Sequence, residues 1–485
     1  MSNLTKLPSP YANILFQARV NPFAVAVCYN AQDISYRAFC EHIEAMTRRL
    51  HAAGMEPRAR VAINVQDGYL QWLVAIALGR LGMPTVSLMG RAGEIEFVGA
   101  TVVVSDAHAA PQGGAQTITI DGDWTRNAPG LPPFRDTGHD EEAPCRIVLS
   151  SGTTGLPKKA LFTYGHLYHR GRGTARQFGM NSTTKALTTM SMTTIGGFFM
   201  PLNVWANGGA VIVTQPPRGQ WSQLVVHSRP NLLFTSTAQL DALVQGLPRD
   251  FWPMEHLVAY VAGSALPPGV NRRARLRLTQ SLFVLYGSTE AGTTALAHAS
   301  CADTRPDFTG YVLPTAQVEV VDDADRPVPN GTMGEIRIRA VGLVDEYLED
   351  PAAQDGSFRH GWFYPGDAGI LDDEGGLSVI GRTRELMNFG GVKVAPDSIE
   401  NVLGRVAGVE DMAVFAIEHP GHGPKPIVAV VAGEGFDEAR LLGRYQRTFD
   451  SLPPLSVVRV ASIPRNEMGK VQRAQLAADV QRAQR

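Results

Sequence analysis

The chain has 485 residues, 44% apolar and 19% charged, with 44 basic against 46 acidic side chains and a formal net charge of −2. That balance is ordinary for a globular protein, leaves no electrostatic footprint for nucleic acid or an anionic membrane, and gives enough chain for two or three domains. Cys28, Cys40, Cys145 and Cys301 lie far apart and form neither a metal spacing nor a disulfide framework, so a cytoplasmic setting is expected.

The opening "MSNLTKLPSPYANILF" lacks a basic region followed by an apolar core, so no signal peptide is expected. "YRAFCEHIEAMTRRLHAAG" sets Phe39, Ile43, Met46 and Leu50 on one helical face, with Gly54 to end the helix. "RVAINV" alternates Val61, Ile63 and Val65 as a strand does. "YLQWLVAIALGRLG" reads as helix and "PTVSLM" as strand. The longest apolar run around them is broken by Arg80 and Pro84, which argues against a membrane span. Residues 108–145, rich in Gly, Pro and Asp, predict loops. "CRIVL" and "ALFT" predict two strands around a polar turn. Residues 315–381 open on short strands with turn signals and predict a β-rich subdomain. After Gly381 come an extended segment, the helix "APDSIENVLGRV" and the strands "MAVFAI" and "IVAVVAG". The whole predicts an α/β fold: a large N-terminal domain over residues 1–383, its sheets flanked by helices, and a small α+β domain over 384–485.

The turn "SSGTTGLPKKA" carries the first chemistry. Ser150, Ser151, Thr153 and Thr154 offer hydroxyls. Gly152 and Gly155 let backbone N–H groups face an anion, and Lys158 and Lys159 add positive charge. The Walker spacing is absent, and the turn joins two strands instead of opening a helix. Taken alone, the same residue types also make an ordinary polar turn. No strand is followed by G-x-G-x-x-G with an acidic residue beyond, which excludes a dinucleotide oxidoreductase.

Four ordered motifs change the weight of that turn. "SSGTTGLPKKA", "LYGSTEAG" at residues 285–292, "GWFYPGDAGILDDEGGLSVIGRTRE" at 361–385 and "IPRNEMGKVQR" at 463–473 together resemble the adenylate-forming enzymes: acyl- and aryl-CoA synthetases, peptide-synthetase adenylation domains and luciferases. With weaker similarity near the N-terminus, the resemblance spans nearly the whole chain. It implies that the turn holds the β- and γ-phosphates of ATP while a carboxylate attacks the α-phosphorus. Glu290 is the implied Mg²⁺ ligand, a single hard oxygen donor. Thr289 is placed on the α-phosphate, Tyr286 and Gly287 on adenine, and Asp367 and Arg382 on the ribose. Gly263 and Ser264, in "AYVAGSALPP", would border adenine and the acyl carboxylate. Lys470 is the implied catalytic ammonium between carboxylate and α-phosphate. Arg384 stands at the hinge, about which the small domain swings between an adenylating and an acyl-transferring pose. Gly390 and Gly391 would then leave room for a pantetheine arm.

The chain departs from the family at Pro365, where Thr is usual, at Lys159 in place of Gly, at Asn388 in place of Lys, and at Thr194, where relatives place an aromatic or His that gates the acyl pocket. Thr194, Ile195, Gly196, Gly197 and Phe198 are the implied pocket segment. It contains no Asp to hold a substrate ammonium, so an aryl or medium-length acyl acid is expected over an α-amino acid. No carrier domain is fused, so the acceptor thiol is expected on CoA or on a separate acyl carrier protein. Transfer to an amine, and a non-catalytic nucleotide- or acyl-binding regulator, stand as alternatives.

Overall fold

A computed structural model describes the chain except residues 1–5, 92, 107–113, 151–156, 214–219, 306, 390–391, 405, 420–422, 466–470 and 484–485. The motif residues Ser151, Gly152, Thr153, Thr154, Gly155, Gly390, Gly391 and Lys470 therefore lie outside the described residues.

The helix Tyr36–Ala52 starts where the Ser35 hydroxyl accepts the Ala38 N–H, and it buries Phe39, Ile43, Met46 and Leu50 completely. Gly54 follows it with a φ of 68°, a left-handed conformation that suits glycine. The helix Gly68–Arg80 is capped by Asp67 and buried on nearly every side. The strand Val61–Asn64 forms where expected, but not as a half-exposed ribbon. Val61, Ala62 and Ile63 are all fully buried, because parallel neighbours flank it and helices cover both faces.

Among the described residues that strand belongs to a six-stranded sheet in the order Gln116–Ile120, Val102–Asp106, Val61–Asn64, Thr85–Ser87, Pro144–Ser150 and Lys158–Thr163. All are parallel except the last, which returns antiparallel from Pro144–Ser150. The strand–turn–strand reading of the phosphate turn thus agrees with the paired strands on either side of residues 151–156. The expectation of loops over 108–145 needs a correction: Gln116–Ile120 is an edge strand, whose Thr-Ile-Thr-Ile alternation lay hidden among Gly, Pro and Asp.

A second, longer sheet sets the parallel strands Lys185–Thr188, Leu232–Ser236, Val258–Ala262 and Leu282–Ser288 side by side. Gly292–His298 turns back antiparallel. The ladder then continues through Gly310–Val312, Gly376–Arg382, Asp367–Leu371 and Gly334–Ala340, so the strands of residues 315–381 extend this sheet and close none of their own.

The last part of the chain packs around its own core of Met387, Ile399, Leu403, Val414, Val428, Val430, Leu441 and Tyr445. Arg473, at the start of the helix Arg473–Ala483, donates to Glu385, Asp397, Glu400 and the Val414 carbonyl. One guanidinium therefore joins the chain after 466–470 to the turn Thr383–Glu385, where the sheet is left behind.

Candidate active site

Parallel strands in register end together, and their carboxyl ends are where loops can converge on a ligand. Ser236 stands opposite Ala262, and the Thr237 hydroxyl donates to the Ser264 carbonyl at 3.1 Å. Gly263 is exposed beside them with a φ of 100°. From the next strand the chain runs through Tyr286, Gly287, Ser288 and Thr289 into Glu290. A β-bulge lies between Tyr286 and Gly287, and the Ser288 hydroxyl accepts the Ala291 N–H at 3.0 Å. A Cβ at Gly287 would lie 2.1 Å from the Gly292 carbonyl oxygen, so only glycine allows this tight return.

That return buries Glu290 to 5% exposure. Its carboxylate Oε1 accepts the Tyr347 hydroxyl at 2.7 Å. Its carbonyl accepts Arg170 Nη2 at 2.5 Å and the Val344 N–H at 3.0 Å. Arg170 also donates to the carbonyls of Thr289 at 3.2 Å and Gly342 at 2.8 Å, and its guanidinium lies 5.1 Å from the Phe162 ring centre. Burial brings Arg170 down to about 10, against the opposing charge of Glu290. Burial, and then that same charge, raise the Tyr347 phenol, which stays a donor.

Lys158 enters from the first sheet, paired in register with Ser150. Its ammonium donates to the Ser357 hydroxyl at 2.9 Å and lies 4.6 Å from the Tyr347 ring centre. Burial lowers its pKa. The charges of Glu290 and Asp350 oppose that shift, and those of Arg384 and Arg382 reinforce it. Lys158, Arg382 and the exposed Arg384 thus share one electrostatic environment with Glu290. The neighbouring Lys159 does not join them. Side chains alternate across a strand, and Lys159 is turned to the other face, where it pairs with Glu349 at 2.5 Å and with the Phe97 carbonyl at 3.2 Å. The reading of Lys159 as a phosphate-turn charge is corrected accordingly.

Asp367 and Arg382 are direct cross-strand partners. Arg382 Nη1 lies 3.2 Å from Asp367 Oδ1 and 2.6 Å from the Pro365 carbonyl. Asp367, 9% exposed, also accepts the Tyr286 hydroxyl at 2.7 Å. Burial and that carboxylate hold the Tyr286 phenol well above its ordinary range. The ring packs against the apolar cluster of Ala291, Ala295 and Leu377.

The segment expected to line the acyl pocket divides. Thr194 caps the helix Ile195–Ala206: its hydroxyl accepts the Gly197 N–H at 3.1 Å and donates to the Ser191 carbonyl at 2.8 Å. Ile195 and Gly196 are half-buried at the helix start. A Cβ on Gly197 would stand 2.0 Å from the Ser191 carbonyl oxygen, so the space there belongs to backbone and not to a ligand. Phe198 turns into the core, stacked 5.9 Å from Trp72 and 4.4 Å from the Arg146 guanidinium. Arg146 is itself fully buried and donates to Thr85, Ser87 and the Met192 carbonyl. It ties the strand entering the phosphate turn to the loop before Thr194. Gly197→Ala is expected to cost about 1–3 kcal/mol through overpacking. Gly196→Ala, which meets only the flexible end of Met190, should cost less; urea denaturation of both variants checks the order.

Sequence reasoning missed Arg170 and Tyr347. Arg170 was one of several arginines in "HRGRGTAR", and Tyr347 a lone aromatic in "VDEYLED". Both act on residues far along the chain, so no local pattern marks them.

The chain matches the AMP-binding enzymes over residues 16–348. It is 27% identical to the indoleacetate–CoA ligase of Aromatoleum aromaticum, covering 94% of this chain and 95% of that protein. It is 24% identical to the 2-succinylbenzoate–CoA ligase of Listeria monocytogenes, covering 95% and 97%. The o-succinylbenzoate CoA synthetase of Bacillus subtilis, solved with its acyl-adenylate intermediate, superposes with a TM-score of 0.86 at 22% identity over 98% of each chain. A fold shared over nearly the full length and a family match over most of it agree with the four motifs, and the chain belongs to the family of AMP-binding enzymes.

Proposed function

We propose that this enzyme activates a carboxylic acid with ATP as an acyl-adenylate and passes the acyl group to a thiol, that of CoA. A free carboxylate acylates poorly because oxide is a bad leaving group; an adenylate supplies a good one. The observation that carries the reading is two joined pairs of charges around the end of the strand Leu282–Ser288: Lys158 and Glu290 share Tyr347, and Asp367, paired with Arg382, accepts the Tyr286 hydroxyl from that strand. Lys158 and the turn before it bind the β- and γ-phosphates. Asp367, fixed by Arg382 and Tyr286, accepts the ribose hydroxyls, with Arg382 beside it. Gly263, Ser264, Tyr286 and Gly287 border the adenine, and Thr289 reaches the α-phosphate. Lys470 brings its ammonium between the two anions during adenylation.

A single buried carboxylate beside a phosphate-binding lysine suits Mg²⁺, which is commonly held by one or two carboxylates and the substrate's own phosphates. Glu290 would hold it, and the ion would offset charge on the phosphates. The residues after Arg384, with their own core, form the small domain that swings about that arginine. Its second pose brings Gly390 and Gly391 to the site for the pantetheine arm.

The acid is an aryl or medium-length acyl acid. The absence of any Asp over 194–198 supports this, as do relatives named for indoleacetate and 2-succinylbenzoate. The test is acid-dependent pyrophosphate exchange with ATP and Mg²⁺ across aryl, fatty and amino acids, each with and without CoA. Exchange with aryl or acyl acids, and thioester formed on adding CoA, is the expected result. Exchange unaffected by CoA would move the acceptor to a carrier protein or an amine. ATP binding without exchange across the panel would overturn the catalytic reading.

A further inference from the structure

The segment after the strand Gly334–Ala340 is stitched to both halves of the site. On one side Val344 donates to the Glu290 carbonyl, and Arg170 joins the Glu290 and Gly342 carbonyls. On the other, Tyr347 forms an antiparallel bridge with Ala160, while Leu348 donates to Lys159 at 2.8 Å and Leu161 to Glu346 at 3.2 Å. Tyr347 is thus anchored by backbone to the strand that carries Lys158. Its N–H is further held by Gln354 Oε1 at 2.8 Å, and its side chain is 4% exposed. From that fixed place its two ends do different things. The hydroxyl grips Glu290 Oε1 at 2.7 Å, and the ring lies under the Lys158 ammonium at 4.6 Å.

We propose that Tyr347 is the positioning residue of the metal–phosphate site: its hydroxyl presets the Glu290 carboxylate, and its ring presets the Lys158 ammonium. The inference rests on the reading of Glu290 and Lys158 given above. It assigns one side chain to two charges of opposite sign that arrive from different sheets. Left alone, Lys158 and Glu290 would move toward each other and neutralise. Held apart by a rigid aromatic, each keeps its charge available for a ligand. A bond to a carboxylate oxygen removes the rotational freedom a metal would otherwise have to quench, which is how groups behind a ligand raise its affinity.

The two ends separate by substitution. Tyr347→Phe keeps the ring and loses the hydroxyl; Tyr347→Leu loses both. ATP affinity is measured by calorimetry on the whole chain, once with Mg²⁺ and once with the metal chelated. In Tyr347→Phe, the gain in ATP affinity conferred by Mg²⁺ should shrink roughly tenfold, as expected for a lost bond to a charged group, while metal-free ATP binding matches wild type. In Tyr347→Leu, metal-free ATP binding should also weaken, by roughly two- to tenfold for a lost cation–aromatic contact. A Tyr347→Phe protein with the full Mg²⁺-linked gain overturns the hydroxyl's role. A Tyr347→Leu protein that binds metal-free ATP as well as Tyr347→Phe overturns the ring's. A merely structural residue would instead lower the melting temperature and weaken both measurements together in both variants. Wild-type protein that gains nothing from Mg²⁺ would overturn the metal reading of Glu290 and this inference with it, while acid-dependent exchange still reports on the reaction.

Discussion

Lys470→Ala is expected to lower acid-dependent pyrophosphate exchange by about 10²–10³-fold, the usual loss when a preorganised charge-stabilising group is removed. Two anions must meet in this reaction, the carboxylate and the α-phosphate, and an ammonium between them offsets their repulsion and the charge that develops as they join. Lys470 lies outside the described residues, but its flanks are firmly set. Arg465 and Val471 form an antiparallel bridge, Gln472 donates to the Pro464 carbonyl at 2.8 Å, and Arg473 is bound to three carboxylates. The described residues on either side of 466–470 are therefore tied into the fold, and loss of the one amine should leave folding and ATP binding measurable. Transfer to CoA from a preformed adenylate should suffer less, because in the proposed swing of the small domain Lys470 has left the site by then. Undiminished exchange in this variant would sink the role given to Lys470.

Glu290→Gln is expected to cut exchange by about 10²-fold or more, through loss of the charge proposed to hold Mg²⁺. The substitution is nearly isosteric. The amide oxygen can still accept from Tyr347, and the backbone keeps its bonds to Arg170 and Val344, so melting temperature should barely move. The effect should appear as a raised Mg²⁺ requirement with little change in metal-free ATP affinity, read by titrating Mg²⁺ in the exchange assay. Equal Mg²⁺ dependence in variant and wild type would remove Glu290 from the metal site.

Much of the architecture was legible because local pattern and tertiary demand agree. The helix Tyr36–Ala52 shows a clean apolar stripe because one face is buried, and the strands around residues 151–156 announce themselves by their β-branched and apolar runs. Val61–Asn64 reads as a strand but not as a central one, since alternation cannot reveal that Ala62 is covered as well. The Gln116–Ile120 strand is lost to its turn-rich surroundings. At the candidate site the motif residues stand out in the sequence, but the residues that support them do not. Arg170 reaches 120 positions along the chain and Tyr347 57, contacts made only by folding. Lys159 parts from Lys158 for a related reason: adjacency in sequence suggests adjacency in function, while the strand sends Lys159 to Glu349.

The capping bond of Thr194 bears on how this protein can acquire new substrates. On the proposed placement of Thr194 beside the acyl site such a residue is ordinarily free to vary, but this one also starts the helix Ile195–Ala206, and losing the cap costs about 0.5–2 kcal/mol. Evolution toward other acids is thereby channelled: Ser, Asn and Asp keep the helix start and change what that position presents, whereas an aromatic must first be compensated elsewhere. Of those three, Asp alone brings a negative charge, so on that placement it is the cap-preserving change that would favour acids carrying an amine.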